Sequence, residues 1–244
     1  MPITPDVDPG QHPDETAQAE PRQPLPDAAR RTYLLATALI LAGGFVMTRL
    51  DLDVDPAVGW AMPFWAVGIL AFATAFLVFN VEFRRETYTF TFAEIVLVVG
   101  LFFASPGHFI VGRLLGELAF LVIRERQQPR KLIMNLSAFF AESVVLVAIE
   151  QLLLGGLDVR EPLSWFVALV AVIGAELVGF AAIATAVRWH GGPITLRSII
   201  QIGLITAPAN TSLALVVCVL VDAEPAAVPL LGGVAAFLVM TYRA

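Results

Sequence analysis

Runs of about 18 or more largely apolar residues recur along this chain, each long enough to cross a bilayer as a helix. Nothing else in the sequence constrains the fold as tightly. A backbone in hydrocarbon must satisfy its own hydrogen bonds, and helices do so within one segment. The balance of residue types agrees: 58% of the 244 residues are hydrophobic and 15% charged, against roughly a quarter charged in soluble domains. The reading is an all-α integral membrane protein of roughly six to eight transmembrane helices.

The runs read as Thr32–Leu50, Gly59–Asn80, Leu132–Leu154, Ser164–Val187, Ile199–Val221 and Ala227–Met240. Between them, residues 93–123 form a shorter pair of apolar segments around Ser105-Pro106-Gly107-His108. Some 14 residues on either side of that break cover only about 20 Å as helix, short of a roughly 30 Å hydrocarbon core. The expectation is two short spans with a tight turn or a re-entrant hairpin, surrounded by protein in either case. Ile199–Val221 is expected to be interrupted at Pro208-Ala209-Asn210. Residues 91–106 and 194–208 suggest an internal repeat, since both place Gly-Leu shortly before a proline (Gly100-Leu101 and Gly203-Leu204).

Basic residues flanking spans stay on the cytoplasmic side. Arg30 and Arg31, Arg84 and Arg85, and the cluster Arg124, Arg126, Arg130 and Lys131 therefore read as inside. The loop opening Asp51-Leu52-Asp53-Val54-Asp55 and the turn carrying Asp222 and Glu224 read as outside. This places a multi-pass protein in the cell's inner (plasma) membrane with both termini cytoplasmic. Residues 1–31 hold seven prolines and six acids against three arginines, too little apolar surface to offset ordering. They are expected to be a disordered cytoplasmic tail ahead of a polytopic membrane domain, 32–244. The net charge of −6 and the lack of a large basic patch exclude nucleic acid as a partner.

Ionisable groups inside apolar sequence are costly unless paired or functional, and they supply the candidate site. Arg113 and Glu117 are one helical turn apart and can pair. Glu142 and Glu176, near the centres of their spans, are the expected partners of Arg113 from other helices, and Glu150 lies nearer an outer end. Asn135, Gln201 and Asn210 add intramembrane polarity. His108 sits in the turn, where it can gate or sense protons. Glu94 begins its helix, where an acid is favoured by the dipole alone. Gly112 and Gly116 have the small-xxx-small spacing that lets helices approach closely. The three histidines lack metal-ligand spacing and the single cysteine, Cys218, cannot form an internal disulfide. No metal or cofactor is expected. No hydrolase elbow, phosphate-binding glycine loop or HExxH occurs, so no enzymatic activity is expected.

The run FRRETYTFTFAEIVLVVGLFF (83–103), the Arg113 segment and RQQPRKLIMNLS (126–137) together resemble the N-terminal membrane module that precedes GGDEF and EAL signalling domains in many bacteria. That module is similar to the substrate-binding component of vitamin-uptake transporters and is regarded as a vitamin-uptake-like sensor. The resemblance covers about residues 32–244 and is densest at 83–137. It implies a non-enzymatic sensor that binds a small solute and signals to a cytoplasmic partner. The alternative it implies is the solute-binding subunit of a vitamin-type uptake transporter, with Ala38 and Ala42 at the spacing such subunits use to dock. No GGDEF or EAL sequence follows Tyr242-Arg243-Ala244, so the output is expected from a separate protein or a lost domain.

Overall fold

The computed structural model describes residues 27–76, 78–83, 86–91, 93–192, 196–230 and 232–233, with side chains for 27–76, 94–192, 207–230 and 232–233. The chain is helical, as its apolar runs imply, with one short hairpin. Seven α-helices are described: α1 (Ala28–Met47), α2 (Phe64–Thr74), α3 (Ala93–Phe103), α4 (Pro106–Ala119), α5 (Pro129–Leu153), α6 (Pro162–Trp189) and α7 (Leu196–Ala223). A π-helical turn, Phe120–Arg124, extends α4. Strands β1 (Val78–Phe83) and β2 (Glu86–Thr91) pair antiparallel between α2 and α3, from Val78 opposite Thr91 to Phe83 opposite Glu86.

Three helical stretches are long and apolar enough to cross a membrane: Pro106–Arg124, Pro129–Leu153 and Pro162–Trp189. Each opens on a proline in its first turn, where the missing N–H would have no helical partner anyway. Ser105 accepts the His108 amide at the start of α4. Gly155 and Gly191, with φ of 67° and 79°, leave the ends of α5 and α6 in the left-handed conformation that stops helices. Outward-facing Leu41, Phe45, Phe166 and Val216 are more than half exposed, which suits acyl-chain contact rather than water.

Several expectations are corrected. The Gly59–Asn80 run is not one long helix: α2 has only 11 residues, about 16 Å. From Val78 the alternation VFNVEF and then ETYTFT, rich in β-branched and aromatic residues, pairs as strands instead. α1 begins at Ala28, so Arg30 and Arg31 lie in its first turn rather than in a tail. α7 runs through Pro208 without a break; losing one hydrogen bond costs less in lipid than opening the backbone on both sides. The suggested repeat therefore has unlike partners, since Pro106 opens a helix whereas Pro208 sits inside one. In the 93–123 pair, α4 with its π turn has 19 residues, about 28 Å, while α3 has 11, about 16 Å. One limb is long enough to reach across a bilayer and the other about half as long. Residues 1–26 and most of Ala227–Met240 lie outside the described residues.

Packing sets the helix directions. α1 runs parallel to α5: Ala36 packs with Met134 and Ala138, Gly43 meets the Phe140 ring, and Gln151 bonds the Asp51 backbone twice. α2 and α4 are also parallel and very close. A Cβ on Gly112 would strike the Phe64 carbonyl, and one on Gly116 the Gly68 carbonyl. The 50–63 loop closes over the α3–α4 turn through Gly107 N–H to Leu52 O, 3.0 Å, and Met62 N–H to Phe103 O. Arg160 bonds Asp222 at 2.8 Å, joining the start of α6 to the end of α7. These directions gather Arg30, Arg31, Arg124, Arg126, Arg130, Lys131 and Arg188 at one end of the bundle. Asp51, Asp53, Asp55, Asp158, Asp222 and Glu224 collect at the other.

Candidate functional site: a buried guanidinium among four carboxyls

Arg113 sits near the middle of the α4 span, 2% exposed. Its guanidinium donates to the Glu142 carboxylate at 2.5 Å, to Ser143 Oγ at 3.0 Å and to the Phe139 carbonyl at 3.4 Å, all on α5. It also lies 5.3 Å from the centroid of the Phe139 ring, within cation–π range. Residues 139, 142 and 143 fall on one face of α5 because they are three and four apart. The same Ser143 hydroxyl donates back to Phe139 O at 2.8 Å, which orients its lone pairs toward the arginine. The guanidinium is thus held entirely by protein groups from one neighbouring helix.

Glu142 is in turn seated against α6. Its Oε1 occupies the space where a Cβ on Gly179 would lie, so only glycine there leaves room for the ion pair. Glu176, one turn earlier on α6, lies within electrostatic range of Glu142, Arg113 and Glu94. Glu117 lies in range of Arg113 and Glu142 without an ion pair to either. Glu94 opens α3 and accepts from Asn210 Nδ2 at 3.1 Å; Asn210 is near the middle of α7. Helix α3 therefore starts at the depth of the Arg113 centre, which puts its positive dipole end beside that centre. Thr211, fully buried, has a hydroxyl without a hydrogen-bond partner among the described residues.

Helices α4, α5 and α6 and the start of α3 thus bring one guanidinium and four carboxyls together. Of the two acids expected to pair with Arg113 from other helices, Glu142 does, whereas Glu176 lies within electrostatic range without an ion pair to it. Glu117, expected as a direct partner, is a neighbour instead. Glu94 was passed over as a helix-start acid, yet it is 4% exposed and bonded across helices; only tertiary contact could have revealed it. Asn135 belongs elsewhere, bonding Gln127 at 2.9 Å toward the basic end. His108 is exposed at the α3–α4 turn, its ring 6.2 Å from that of Phe64. Glu150 lines a small cavity of about 40 Å³ at the acidic end, under the 54–57 loop. Gln201's side chain lies outside the described residues. Among the described residues no three His, Cys, Asp or Glu side chains converge as metal ligands.

No family model, curated protein or solved structure matches this chain.

Proposed function

We propose that the chain is a non-enzymatic, multi-pass membrane module that binds a small solute at the Arg113 centre and signals to a cytoplasmic partner. The observation that carries this reading is the imbalance of the centre: three buried carboxyls and a half-buried fourth, on four helices, against a single guanidinium whose three hydrogen bonds all go to α5. A bundle needing only stability would be better served by apolar residues of similar volume, because desolvating charges is expensive. The surplus of acceptors favours a solute that brings positive charge or hydrogen-bond donors. Glu117, Glu176 and Glu94 are the groups to receive it, while Arg113 and Ser143 hold Glu142 in place.

Two features support signalling. Helix α4 carries Arg113 and Glu117 and then passes into the π turn Phe120–Arg124 at the basic end; such turns recur at functional sites. The charge asymmetry also supports the basic end as the cytoplasmic one, where a partner would read a shift of α4. A second reading, the solute-binding subunit of an uptake transporter, is favoured by α3. A half-depth helix starting at a polar centre is how transporters present solute sites.

The test is co-purification from native membranes, with mass spectrometry of retained small molecules and proteins, followed by binding assays on E117Q and E176Q. A retained cationic or donor-rich metabolite, weakened about tenfold or more by either substitution, supports solute binding. A signalling enzyme among the retained proteins supports the sensor, and an ATPase-type complex supports transport. Unchanged binding in both variants, with unfolding midpoints like the wild type, removes the proposed site.

A further inference from the structure

At the basic end, a cavity of about 310 Å³ opens between α1, α5 and α6. Its polar wall is formed by Arg130, Lys131, Asn135 and His190, and its apolar wall by Met134, Ile183 and Val187. Arg130 and Lys131 stand in the first turn of α5, a 25-residue helix whose N-terminus no side chain caps; such an end favours anions. His190 follows α6, and its Nδ1 contacts the Ala186 carbonyl at 2.9 Å. That contact leaves the ring's other nitrogen, Nε2, buried without a hydrogen-bond partner among the described residues. Ile183 and Val187 remain more than a third exposed on the outer face, so the cavity is open toward the acyl region.

We propose that this cavity binds an anionic phospholipid, with its phosphate among Arg130, Lys131 and His190 Nε2 and an acyl chain along Ile183, Val187 and Met134. Three independent features point to a phosphate bearing an apolar tail. The cations are paired with an uncapped helix start. Among the described residues the buried imidazole nitrogen has no hydrogen-bond partner. The polar wall continues directly into a lipid-facing apolar one, which a free phosphate would not use. Basic pockets between transmembrane helices suit such headgroups. The site is separate from the Arg113 centre and stands or falls without it. A bound lipid would bridge α1 to the α5–α6 pair, where Thr32, Ala36 and Ala186 meet.

The full chain, purified in mild detergent, is reconstituted into nanodiscs of phosphatidylcholine with and without phosphatidylglycerol, then re-extracted and analysed for retained lipid by native mass spectrometry. Wild-type protein should retain phosphatidylglycerol over phosphatidylcholine. R130Q/K131Q should lose roughly thirtyfold of that preference. I183W, which fills the apolar wall and keeps every charge, should also lose it. R188Q, a basic residue outside the cavity, should not. Unfolding midpoints keep misfolded variants from counting. Equal retention by wild type and both cavity variants overturns the proposal, as does an R188Q loss as large as that of R130Q/K131Q. Millimolar inorganic phosphate that binds without displacing or requiring lipid would show a soluble-anion site instead and likewise overturn it.

Discussion

Replacing Arg113 by methionine tests the buried ion pair most directly. The guanidinium makes three hydrogen bonds, to Glu142, Ser143 and Phe139 O, and all of them vanish in R113M. Glu142 keeps its place against Gly179 but loses its counter-charge. Breaking one side of a buried pair costs about 3–5 kcal/mol, whereas replacing both sides by apolar groups of similar volume is close to neutral. E142M alone should cost a similar amount, because it removes the arginine's ion-pair partner. The double variant R113M/E142M should fall within about 1–2 kcal/mol of wild type. A double-mutant cycle by reversible unfolding in mixed micelles measures all four corners. A coupling of about 4 kcal/mol or more is expected. If each single change costs under about 1 kcal/mol, the pair is not the buried contact described. If the double variant loses as much as the two singles combined, the centre depends on these groups in some way other than their mutual pairing.

Gly116→Leu should part α2 from α4, because its side chain would meet the Gly68 carbonyl. A loss of about 3 kcal/mol or failure to fold, read by thermal unfolding in detergent, is expected. Gly179→Ala should displace the Glu142 carboxylate and cost about 2–3 kcal/mol, and this loss should shrink when Glu142 is already methionine. Ser143→Ala removes one neutral partner of Arg113 and should cost about 1–2 kcal/mol; a loss as large as that of R113M would show that the hydroxyl, not the carboxylate, anchors the arginine. Arg160→Ala breaks a pair whose arginine is 75% exposed, so the unfolding midpoint should not move measurably at moderate salt.

Much of the architecture is legible in the chain. The long apolar runs at 129–153 and 162–189 became helices within a few residues of the expected limits, because length and hydropathy act locally. Arg113 and its match to Glu142 could be anticipated, since a charge at mid-span must find an opposite charge at similar depth. Glu94 could not. At a helix start an acid has a sufficient local reason to be there, and its burial depends on how α3 meets α7. The 59–80 run also misled: its hydropathy suits a helix throughout, but from Val78 the period-two pattern prevails. Average hydropathy does not see that change of period.

By itself, then, the sequence determined that this protein has helices long and apolar enough to cross a membrane, where they lie, and which residues carry charge inside them. Those properties follow from the cost of exposing polar backbone and side chains to lipid, and each can be assessed one segment at a time. Only the tertiary structure decided which helices run parallel and that α3 stops halfway. It also decided that four carboxyls share one guanidinium, and that Arg130, Lys131 and His190 wall a common cavity. Those are properties of contacts between segments far apart in the chain. They rest on close approach at Gly112, Gly116 and Gly179, where the absence of a side chain lets one helix come near enough to another to bring the charges together.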